Sequence, residues 1–463
     1  MNRQGWTTRF GFYLAAIGSA CGLGNLWRFP YIVGDNGGGA FVLLYVLLCF
    51  VIGLPILIGE LMLGKIQRKS VVQALKSLSA NPSGGSSSAG NRIGSNLQWI
   101  GYLGLTLSLV VLSYYAVISG WVLHFLMQFL MEFAGFSSDP GSISLSQLLN
   151  SGPLQVGLAS VHLLVTMIIV MKGFTEGLER TVAVVMPIFA VLLFILFAQA
   201  LSLPGVPQAL RFLFYPDFSQ LKSGALLHAL GHVCFTLSVG FGVMVTFGSH
   251  LSNEVHVPGA AFRVMVVDTC LSLLSGLLVF SVALSASEVP ISDPGLLFEA
   301  LPRFIIGLKG GALFGIAFFL CLYLAALAAS IGLLEGIVAN MIEARVGSRK
   351  SSAWLVGIIA LIISIFPAIS SNWLQDMKLF GKGILEFLDS FLINWYLPPV
   401  AIALAYVLVR RVNAMDIRQH FLQDDQPDTQ TLYPYWQMIL RYVAPAVMVI
   451  AVLLQVYGAI KGR

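Results

Sequence analysis

The segment Gly11–Gly34 reads GFYLAAIGSACGLGNLWRFPYIVG, and it decides how the rest of the chain is interpreted. The segment is long and apolar enough to cross a bilayer, yet small and polar residues interrupt its centre. Within hydrocarbon every backbone N–H and C=O group needs a partner in the protein, so such a break is tolerated only where the freed groups line a cavity or bind something. Free N–H groups at the start of a half-helix suit a carboxylate, and unwound carbonyl groups suit a small cation. The segment therefore predicts a site for an anionic group and an alkali cation. The interrupting residues are Gly18, Ser19, Gly22, Gly24 and Asn25.

The composition is that of an integral membrane protein. Of 463 residues, 57% are hydrophobic and 10% are charged, against about 25% charged residues in soluble domains. The five cysteines all fall in apolar runs without the spacing of a metal site or a disulfide framework, so we expect them to be buried. The N-terminus MNRQGWTTR leads directly into an apolar run, without the pattern of a cleavable signal peptide. No motif supports an enzyme, and nothing in the composition supports nucleic-acid binding.

Apolar runs of about 20 residues mark candidate membrane spans. We count eleven and interpret residues 1–463 as a single all-α transporter domain. Lysine and arginine clusters fall on one side if the N-terminus is cytoplasmic, and the odd count then places the C-terminus outside. The glycine- and serine-rich stretch within residues 77–96 is predicted to be a flexible cytoplasmic loop. The eleven runs are roughly 9–34, 38–66, 97–131, 153–172, 178–202, 225–251, 257–286, 311–345, 352–370, 380–411 and 434–459.

A second apolar run is also interrupted at its centre. In the run 225–251, Gly240 and Gly242 follow the polar residues Thr236 and Ser238. The interrupted runs are the first and the sixth, which is typical of a five-plus-five inverted repeat. Discontinuous helices in matching positions of two halves indicate a transport site near the midplane of the membrane. The two repeats would be residues 9–202 and 225–411, with an extra helix at 434–459.

Several ordered motifs closely resemble those of the neurotransmitter:sodium symporter family. The most specific is GSACGLGNLWRFPYIVGDNGGGAFVLLYVLL (18–48), which is similar to the family's first-helix signature. The resemblance runs from Trp6 to about Ala446 and is strongest to the bacterial amino-acid transporter branch, which includes the bacterial leucine transporter. The other matching stretches are GLPILIGELMLGK (Gly53–Lys65), the pair Tyr114-Tyr115, KGFTEGLERTVAVVMP (Lys172–Pro187), FTLSVGFG (Phe235–Gly242) and RYVAPA (Arg441–Ala446).

The resemblance implies an amino-acid site at the break in the first helix. Backbone groups would hold the amine and the carboxylate of the substrate, and Tyr115 would donate its hydroxyl to that carboxylate. Gly22 stands where the family's monoamine carriers place an aspartate, and glycine leaves room for an α-amino acid. The expected pocket walls are apolar and aromatic, which favours a neutral, hydrophobic or aromatic substrate. The resemblance places in the substrate site Ser19, Ala20, Gly22, Leu23, Gly24, Val111, Tyr115, Phe235, Thr236, Ser238, Phe241, Ala329 and Leu333.

The resemblance also implies a first sodium site beside the substrate. The carbonyl group of Ala20 and the side chains of Asn25, Thr236 and Asp268 would bind the ion together with the substrate carboxylate. Oxygen ligands suit a hard alkali cation. Asp268 stands where the bacterial leucine transporter has an asparagine, and an ionisable residue inside a membrane is a functional hypothesis by default. Because this carboxylate would neutralise sodium directly, we expect transport that does not depend on chloride.

The family's second sodium site departs from its pattern in this chain. Three backbone carbonyl groups are retained by position, but the two positions that supply hydroxyl groups hold Ala328 and Ala329. Ser330 is one residue further on, which turns it about 100° away on a helix. Three interpretations stay open: a vacant or weak site with one coupled sodium, water in place of the missing ligands, or a proton in place of the second ion. The five positions are Gly18, Cys21, Ala325, Ala328 and Ala329.

Two gates are implied on either side of the substrate site. Arg28 would pair with Asp389 on the outer side. Arg3 would pair with Glu343 on the cytoplasmic side, and Trp6 would brace that pair.

The resemblance gives Glu60 a supporting role, in which its carboxylate binds free N–H groups at the break of the sixth helix. The chain as a whole is interpreted as a sodium-coupled secondary transporter that imports neutral L-amino acids by alternating access in a bacterial inner membrane. Its expected partners are sodium (at least one ion), a small-molecule amino acid and the lipid bilayer, and we expect a monomer or weak dimer. The alternatives are a proton-coupled or sodium-independent amino-acid carrier, and a transporter-like membrane sensor.

Overall fold

The computed structural model describes residues 5–80, 96–136, 144–285, 297–422 and 427–461. Within these ranges the chain is helical throughout, with no β-strand and one isolated bridge between Leu379 and Lys382. The all-α prediction is confirmed.

Nine helices of the described ranges are long and apolar enough to cross a membrane, namely α3, α5, α7, α8, α12, α14, α15, α16 and α18 of the numbering below. The predicted spans 9–34 and 225–251 are instead broken pairs, α1 with α2 and α10 with α11. The total of eleven spans stays a prediction. In chain order the helices are α1 (Arg9–Ala20), α2 (Phe29–Asp35), α3 (Gly39–Gln67), α4 (Val71–Ala80), α5 (Gln98–Phe133), α6 (Leu145–Leu149), α7 (Gly152–Met171), α8 (Phe174–Ala200), α9 (Val206–Phe214), α10 (Ala225–Thr236), α11 (Val243–Ser249), α12 (Val257–Ser285), α13 (Ala300–Ile306), α14 (Gly311–Glu343), α15 (Arg349–Ala368), α16 (Ile384–Arg411), α17 (Ala414–Phe421) and α18 (Gln430–Lys461).

The first break begins where α1 ends at Ala20. The N–H group of Cys21 still donates to the carbonyl oxygen of Ile17 at 2.6 Å. The chain then leaves the α-helix and resumes in the π-helical turn Gly24–Arg28, which leads into α2. Short π-helical turns are uncommon and frequently lie at functional sites. The predicted interruption of the first span is therefore present, and it lies within the small-residue stretch.

The second break turns the chain through three residues with positive φ. These are Ser238 at 52°, Gly240 at 87° and Gly242 at 78°. Left-handed backbone is unfavourable for residues with a Cβ, which explains glycine at two of the three positions. Ser238 is held in place because its hydroxyl donates to the carbonyl oxygen of Ser19 at 2.7 Å. The two breaks therefore touch each other.

Glycines allow α3 to cross α11 at backbone contact. A Cβ on Gly64 would lie 2.0 Å from the carbonyl oxygen of Val245 and 2.7 Å from the backbone nitrogen of Ser249. A Cβ on Gly248 would lie 2.3 Å from the carbonyl oxygen of Leu61. Small residues at such crossings let membrane helices approach closely. This crossing fixes α11, the half-helix that follows the second break, against α3.

Two expectations about local structure need correction. Residues 77–80 of the predicted flexible loop belong to α4, and residues 81–95 lie outside the described residues. Helix α4 is amphipathic and buries one side, with Leu75 and Leu78 inside, which explains why the loop starts later than its composition indicates. Four of the five cysteines are buried as expected, but Cys270 is exposed.

Replacement of Gly64 by alanine tests the α3–α11 crossing. Because the new methyl group would meet backbone atoms that cannot move aside independently, we expect destabilisation of about 1–3 kcal/mol. The measurement is the melting temperature of the purified protein in detergent, which should fall clearly. Gly157→Ala is the matched control, since nothing lies within 4 Å of a Cβ at that helical position. Equal melting temperatures for the two variants would contradict the tight crossing.

Candidate functional site

A small cavity lies between the two helix breaks. It measures about 20 Å³, which is room for about one water molecule. Its walls come from the first break, from α5, from the second break and from α14. Ten of the thirteen residues predicted for the substrate site line it, namely Ser19, Ala20, Gly22, Gly24, Tyr115, Phe235, Ser238, Phe241, Ala329 and Leu333.

The other three predicted residues lie outside the wall of this cavity. Leu23 contributes its backbone N–H group, which donates to the hydroxyl of Tyr115 at 2.7 Å. Thr236 points its hydroxyl towards Asp268 at 2.9 Å, away from the apolar walls. Val111 is fully buried on α5, one turn before Tyr115, and does not line the cavity.

Tyr115 approaches the first break so closely that only glycine fits opposite its hydroxyl. A Cβ on Gly22 would lie 2.3 Å from the hydroxyl oxygen and 3.0 Å from the Cβ of Ala329. The hydroxyl of Tyr115 accepts a hydrogen bond from Leu23, and it donates none to the described residues. Its proton is therefore free to donate to a ligand oxygen. The close contact with the Tyr115 hydroxyl therefore requires glycine at residue 22.

The three side chains predicted for the first sodium site meet around the hydroxyl of Thr236, whereas the carbonyl oxygen of Ala20, the fourth predicted ligand, accepts the N–H group of Gly22 at 3.0 Å. The Thr236 hydroxyl lies 2.9 Å from both carboxylate oxygens of Asp268 and 3.2 Å from the side-chain oxygen of Asn25. The side-chain amide of Asn25 donates to Asp268 at 2.8 Å and to Ser272 at 2.8 Å. All four side chains are fully or almost fully buried. Several oxygens, one of them charged, suit a sodium ion by their chemistry.

Of the positions predicted for a second sodium site, Gly18 on α1 faces Ala328 on α14, with Met186 of α8 also close to Gly18. A Cβ on Gly18 would lie 3.3 Å from the methyl group of Ala328, and Ala329 lines the cavity described above. Ser330 is turned away, as its place on the helix predicts, and its hydroxyl lies 2.8 Å from a ring nitrogen of His162 on α7. No side-chain hydroxyl of this stretch of α14 therefore faces α1. Of the remaining positions, Cys21 directs its thiol towards Asp268 at 3.8 Å and Ala325 is fully buried.

The predicted outer gate is a buried ion pair. The guanidinium of Arg28 lies 3.2 Å from the carboxylate of Asp389, and both side chains are almost entirely buried. Arg28 also donates to the side-chain oxygen of Asn394 at 2.9 Å and lies 5.8 Å from the centre of the Phe235 ring. Since Phe235 lines the small cavity, the Arg28–Asp389 pair lies next to that cavity. Asp389 additionally accepts hydrogen bonds from the hydroxyls of Tyr31 at 2.6 Å and Tyr114 at 3.3 Å.

A larger cavity of about 280 Å³ lies on the other side of this ion pair. It is lined by Arg28 and Asp389 themselves and by charged groups that include Asp35, Lys382 and Glu386. The ion pair therefore separates a polar cavity from the small one between the breaks.

Glu60 lies behind the second break, as predicted. Its carboxylate accepts the N–H group of Gly240 at 2.5 Å and is fully buried. The resemblance predicted more than one N–H partner for Glu60. Only the N–H group of Gly240 is found among the described residues, and the second carboxylate oxygen has no partner there.

On the side predicted to be cytoplasmic, Trp6 packs in an aromatic cluster. Its ring lies 4.5 Å from Phe174 and 5.5 Å from Phe247, and its N–H group donates to the carbonyl oxygen of Phe247 at 3.2 Å. Arg3 lies outside the described residues. Glu343 accepts the N–H group of Ser70 at 2.8 Å and the Ser70 hydroxyl at 3.0 Å, and so caps the start of α4.

Two carboxylates on this side hold contacts that the sequence analysis missed. Glu335, almost fully buried on α14, is bound through both its oxygens by Arg349, at 2.7 and 2.8 Å. Glu179 accepts hydrogen bonds from the segment that leads into α1, including one from the Thr7 hydroxyl at 2.5 Å. Glu179 lies within the family motif Lys172–Pro187, so its position could be identified from the sequence, but its hydrogen-bond partners could not.

Comparison with known proteins agrees with this architecture. The model of the sodium:neurotransmitter symporter family matches residues 3–137 and 136–461. A sodium-dependent transporter of Bacillus subtilis, YhdH, is 30% identical over 97% of this chain and 96% of its own. The sodium-dependent dopamine transporter of Bos taurus is 25% identical over 98% of this chain and 69% of its own.

Among solved structures, the crystal structure of MhsT in complex with L-phenylalanine superposes with a TM-score of 0.87. It is 31% identical in sequence, and the match covers 98% of this chain and 100% of MhsT. The chain described here is a multi-pass membrane transporter rather than an enzyme, and it belongs to the sodium:neurotransmitter symporter family.

Proposed function

We propose that this protein is a sodium-coupled importer of neutral, hydrophobic or aromatic L-amino acids. The observation that carries the proposal is the meeting of two helix breaks. Tyr115 of α5 places its hydroxyl at the first break, and Asn25, Thr236 and Asp268 bring their oxygens together. A substrate carboxylate placed between them would accept the Tyr115 proton and complete the shell of a sodium ion. Binding of sodium and of substrate would then be mutually favourable, and each would raise the affinity for the other.

The walls of the cavity support a neutral substrate. Phe235, Phe241 and Leu333 are apolar, and among the described residues no charged side chain lines the cavity. Apolar pockets with a few directed polar groups favour ligands of the same character. The complex of the related MhsT with L-phenylalanine is consistent with this class of substrate. Because the cavity is far smaller than such a side chain, its aromatic and leucine walls move apart when the substrate binds.

In the proposed cycle, the Arg28–Asp389 pair is the outer gate, and the contacts of Trp6 and its neighbours belong to the cytoplasmic gate. Both sets of contacts are made here, which fits an occluded arrangement. The chain would lie in a bacterial inner membrane with a cytoplasmic N-terminus. Alternating access would open one gate at a time around the fixed site.

A second candidate is a proton-coupled or sodium-independent carrier. The observation that favours it is the apolar contact of Gly18 with Ala328, where the second ion of the family pattern would have lost its hydroxyl ligands. The carboxylate of Asp268 favours the sodium-coupled proposal, because it supplies a negative charge at the first site without a bound anion.

Binding of amino acids to the purified protein separates these candidates. We expect phenylalanine and leucine to bind in sodium chloride and in sodium gluconate, and to bind weakly or not at all in potassium chloride. Asp268→Ala should raise the sodium concentration needed for half-maximal binding by at least about tenfold, since the only formal charge of the first site is lost. Equal binding in potassium would exclude sodium coupling, and loss of binding in gluconate would exclude chloride independence.

Tyr115→Phe tests the proposed carboxylate contact. Removal of one hydrogen bond to a charged group costs about 1.5–3 kcal/mol, so amino-acid affinity should fall by about 10–100-fold. The measurement is radioligand binding at saturating sodium. Tyr102→Phe on the same helix is the control, because Tyr102 is exposed. An affinity unchanged by Tyr115→Phe would remove this hydroxyl from the site.

The dependence of binding on sodium concentration tests the second site. With Ala328 and Ala329 in place of hydroxyl-bearing residues, we expect a Hill coefficient of about 1. Ala328→Ser restores one oxygen that faces Gly18 and should strengthen sodium binding or steepen this dependence. A wild-type coefficient close to about 2 would show that two ions couple despite the alanines.

A further inference from the structure

Glu179 is a carboxylate held by the segment that leads into α1. It is almost entirely buried near the start of α8, with 4% of its surface exposed. The N–H group of Thr7 donates to its two oxygens at 3.1 and 3.2 Å, and the Thr7 hydroxyl donates at 2.5 Å. The N–H group of Thr8 adds a longer contact of 3.4 Å. Three donor groups of two successive residues therefore converge on one carboxylate.

The charge of Glu179 faces the positive end of a helix. The first N–H groups of α1 have no acceptor within the helix, and a helix N-terminus attracts negative charge. Thr8 caps one of these groups by accepting the N–H of Gly11 at 2.8 Å. Glu179 forms no ion pair within the described ranges. The adjacent Arg180 pairs with Glu176 instead, at 3.2 Å. The donors of Thr7 and Thr8, immediately before α1, are thus the compensation that the described residues give this carboxylate.

A glycine allows this contact. A Cβ on Gly11 would lie 2.1 Å from one carboxylate oxygen of Glu179 and 2.9 Å from its carboxyl carbon. The carboxylate therefore reaches the start of α1 only because residue 11 has no side chain.

The same turn of α8 also contacts Trp6. Phe174 lies 4.5 Å from the Trp6 ring and stacks on His250 at 3.9 Å, with the ring planes 13° apart. The backbone N–H of Trp6 donates to the carbonyl oxygen of His250 at 3.3 Å. Phe174 and Glu179 are the first and last residues of one π-helical turn. This turn therefore contacts Trp6 through an aromatic ring and Thr7 through a carboxylate.

We propose that Glu179 is a positioning residue of the cytoplasmic gate, which fastens the start of α1 to α8 while that gate is closed. The inference rests on the proposed alternating-access function, in which the contacts of Trp6, including the one with α8, separate when the cytoplasmic gate opens. Movement of α1 removes every donor described above, and a buried carboxylate without partners is strongly unfavourable. The carboxylate must then be hydrated, so the contact favours the closed gate and is released only as water enters.

Hydrogen–deuterium exchange of the purified full-length protein in sodium-free buffer tests this role. Glu179→Gln keeps the size of the side chain but removes its charge and turns an amide NH₂ group towards N–H donors. Glu176→Gln is the matched control, because Glu176 lies on the same turn, is exposed and contacts only Arg180. We expect amides in residues 5–20 to exchange about tenfold faster in Glu179→Gln than in the wild type and in Glu176→Gln, while exchange in α14 and α15 stays unchanged.

A second variant keeps the test decisive if Glu179→Gln does not fold. Thr7→Val removes the hydroxyl donor with little change in shape, and it should accelerate exchange in the same residues to a smaller extent. Unchanged exchange of α1 in the folded variants would overturn the proposal. An equal acceleration over the whole chain would also overturn it, since that result means general destabilisation. Because the comparison needs no sodium and no substrate, its failure leaves the proposed sodium coupling untouched.

Discussion

The pairing of backbone groups inside a membrane is the constraint on which the rest of this structure depends. Each broken helix leaves N–H and C=O groups without a partner in the helix, and hydrocarbon offers none. The chain answers with contacts from other elements: Tyr115 accepts from Leu23, Ser238 donates to Ser19, and Glu60 accepts from Gly240. These contacts come from α5, from the opposite break and from α3. The breaks are therefore fixed in position by two further helices and by each other, and the cavity between them is a consequence.

Buried carboxylates are used in different ways around this cavity, and their partners explain the difference. Asp389 faces the guanidinium of Arg28, so its charge is neutralised by an ion pair, the proposed outer gate. Asp268 receives only neutral donors from the described residues, among them Asn25 and Thr236, and no ion pair compensates it within those residues. Glu179 accepts hydrogen bonds from Thr7 and Thr8, the residues immediately before α1. An ion pair, neutral side-chain donors and backbone donors thus surround three different carboxylates.

The sequence was sufficient to predict the two breaks and most of the residues that line the cavity between them, for identifiable reasons. Glycines and polar residues inside an apolar run are a local signal, and the family motifs contain Tyr115 and Asn25. The pairing of Glu179 with Thr7 was not predictable in the same way, since the two residues lie 172 positions apart and neither belongs to a periodic pattern. The bond of Arg349 to Glu335 was missed because it depends on how α15 turns back against α14.

Sequence reasoning also placed Val111 and Thr236 on the substrate cavity, and the geometry separates them from it. Val111 is buried one turn away from Tyr115, on the same helix, so a small rotation of α5 decides which of its residues face the cavity. Thr236 is the last residue of α10, and its hydroxyl points to Asp268 because the chain turns immediately after it. Motif matching identifies the neighbourhood of a site, whereas the direction of each side chain depends on the ends of the helices.

The contact of α1 with α14 bears most directly on how the proposed cycle would run. Where the family pattern supplies oxygen ligands from both helices, this chain has Ala328 opposite Gly18, and Ser330 is engaged with His162. Van der Waals contact between small residues holds helices together but does not respond to sodium. In the proposed cycle, sodium would therefore act on α1 only through the site of Asn25 and Asp268. At its N-terminal end, α1 would be held by protein contacts alone, among them those of Trp6 and Glu179. Entry of water, rather than loss of an ion, would release these contacts.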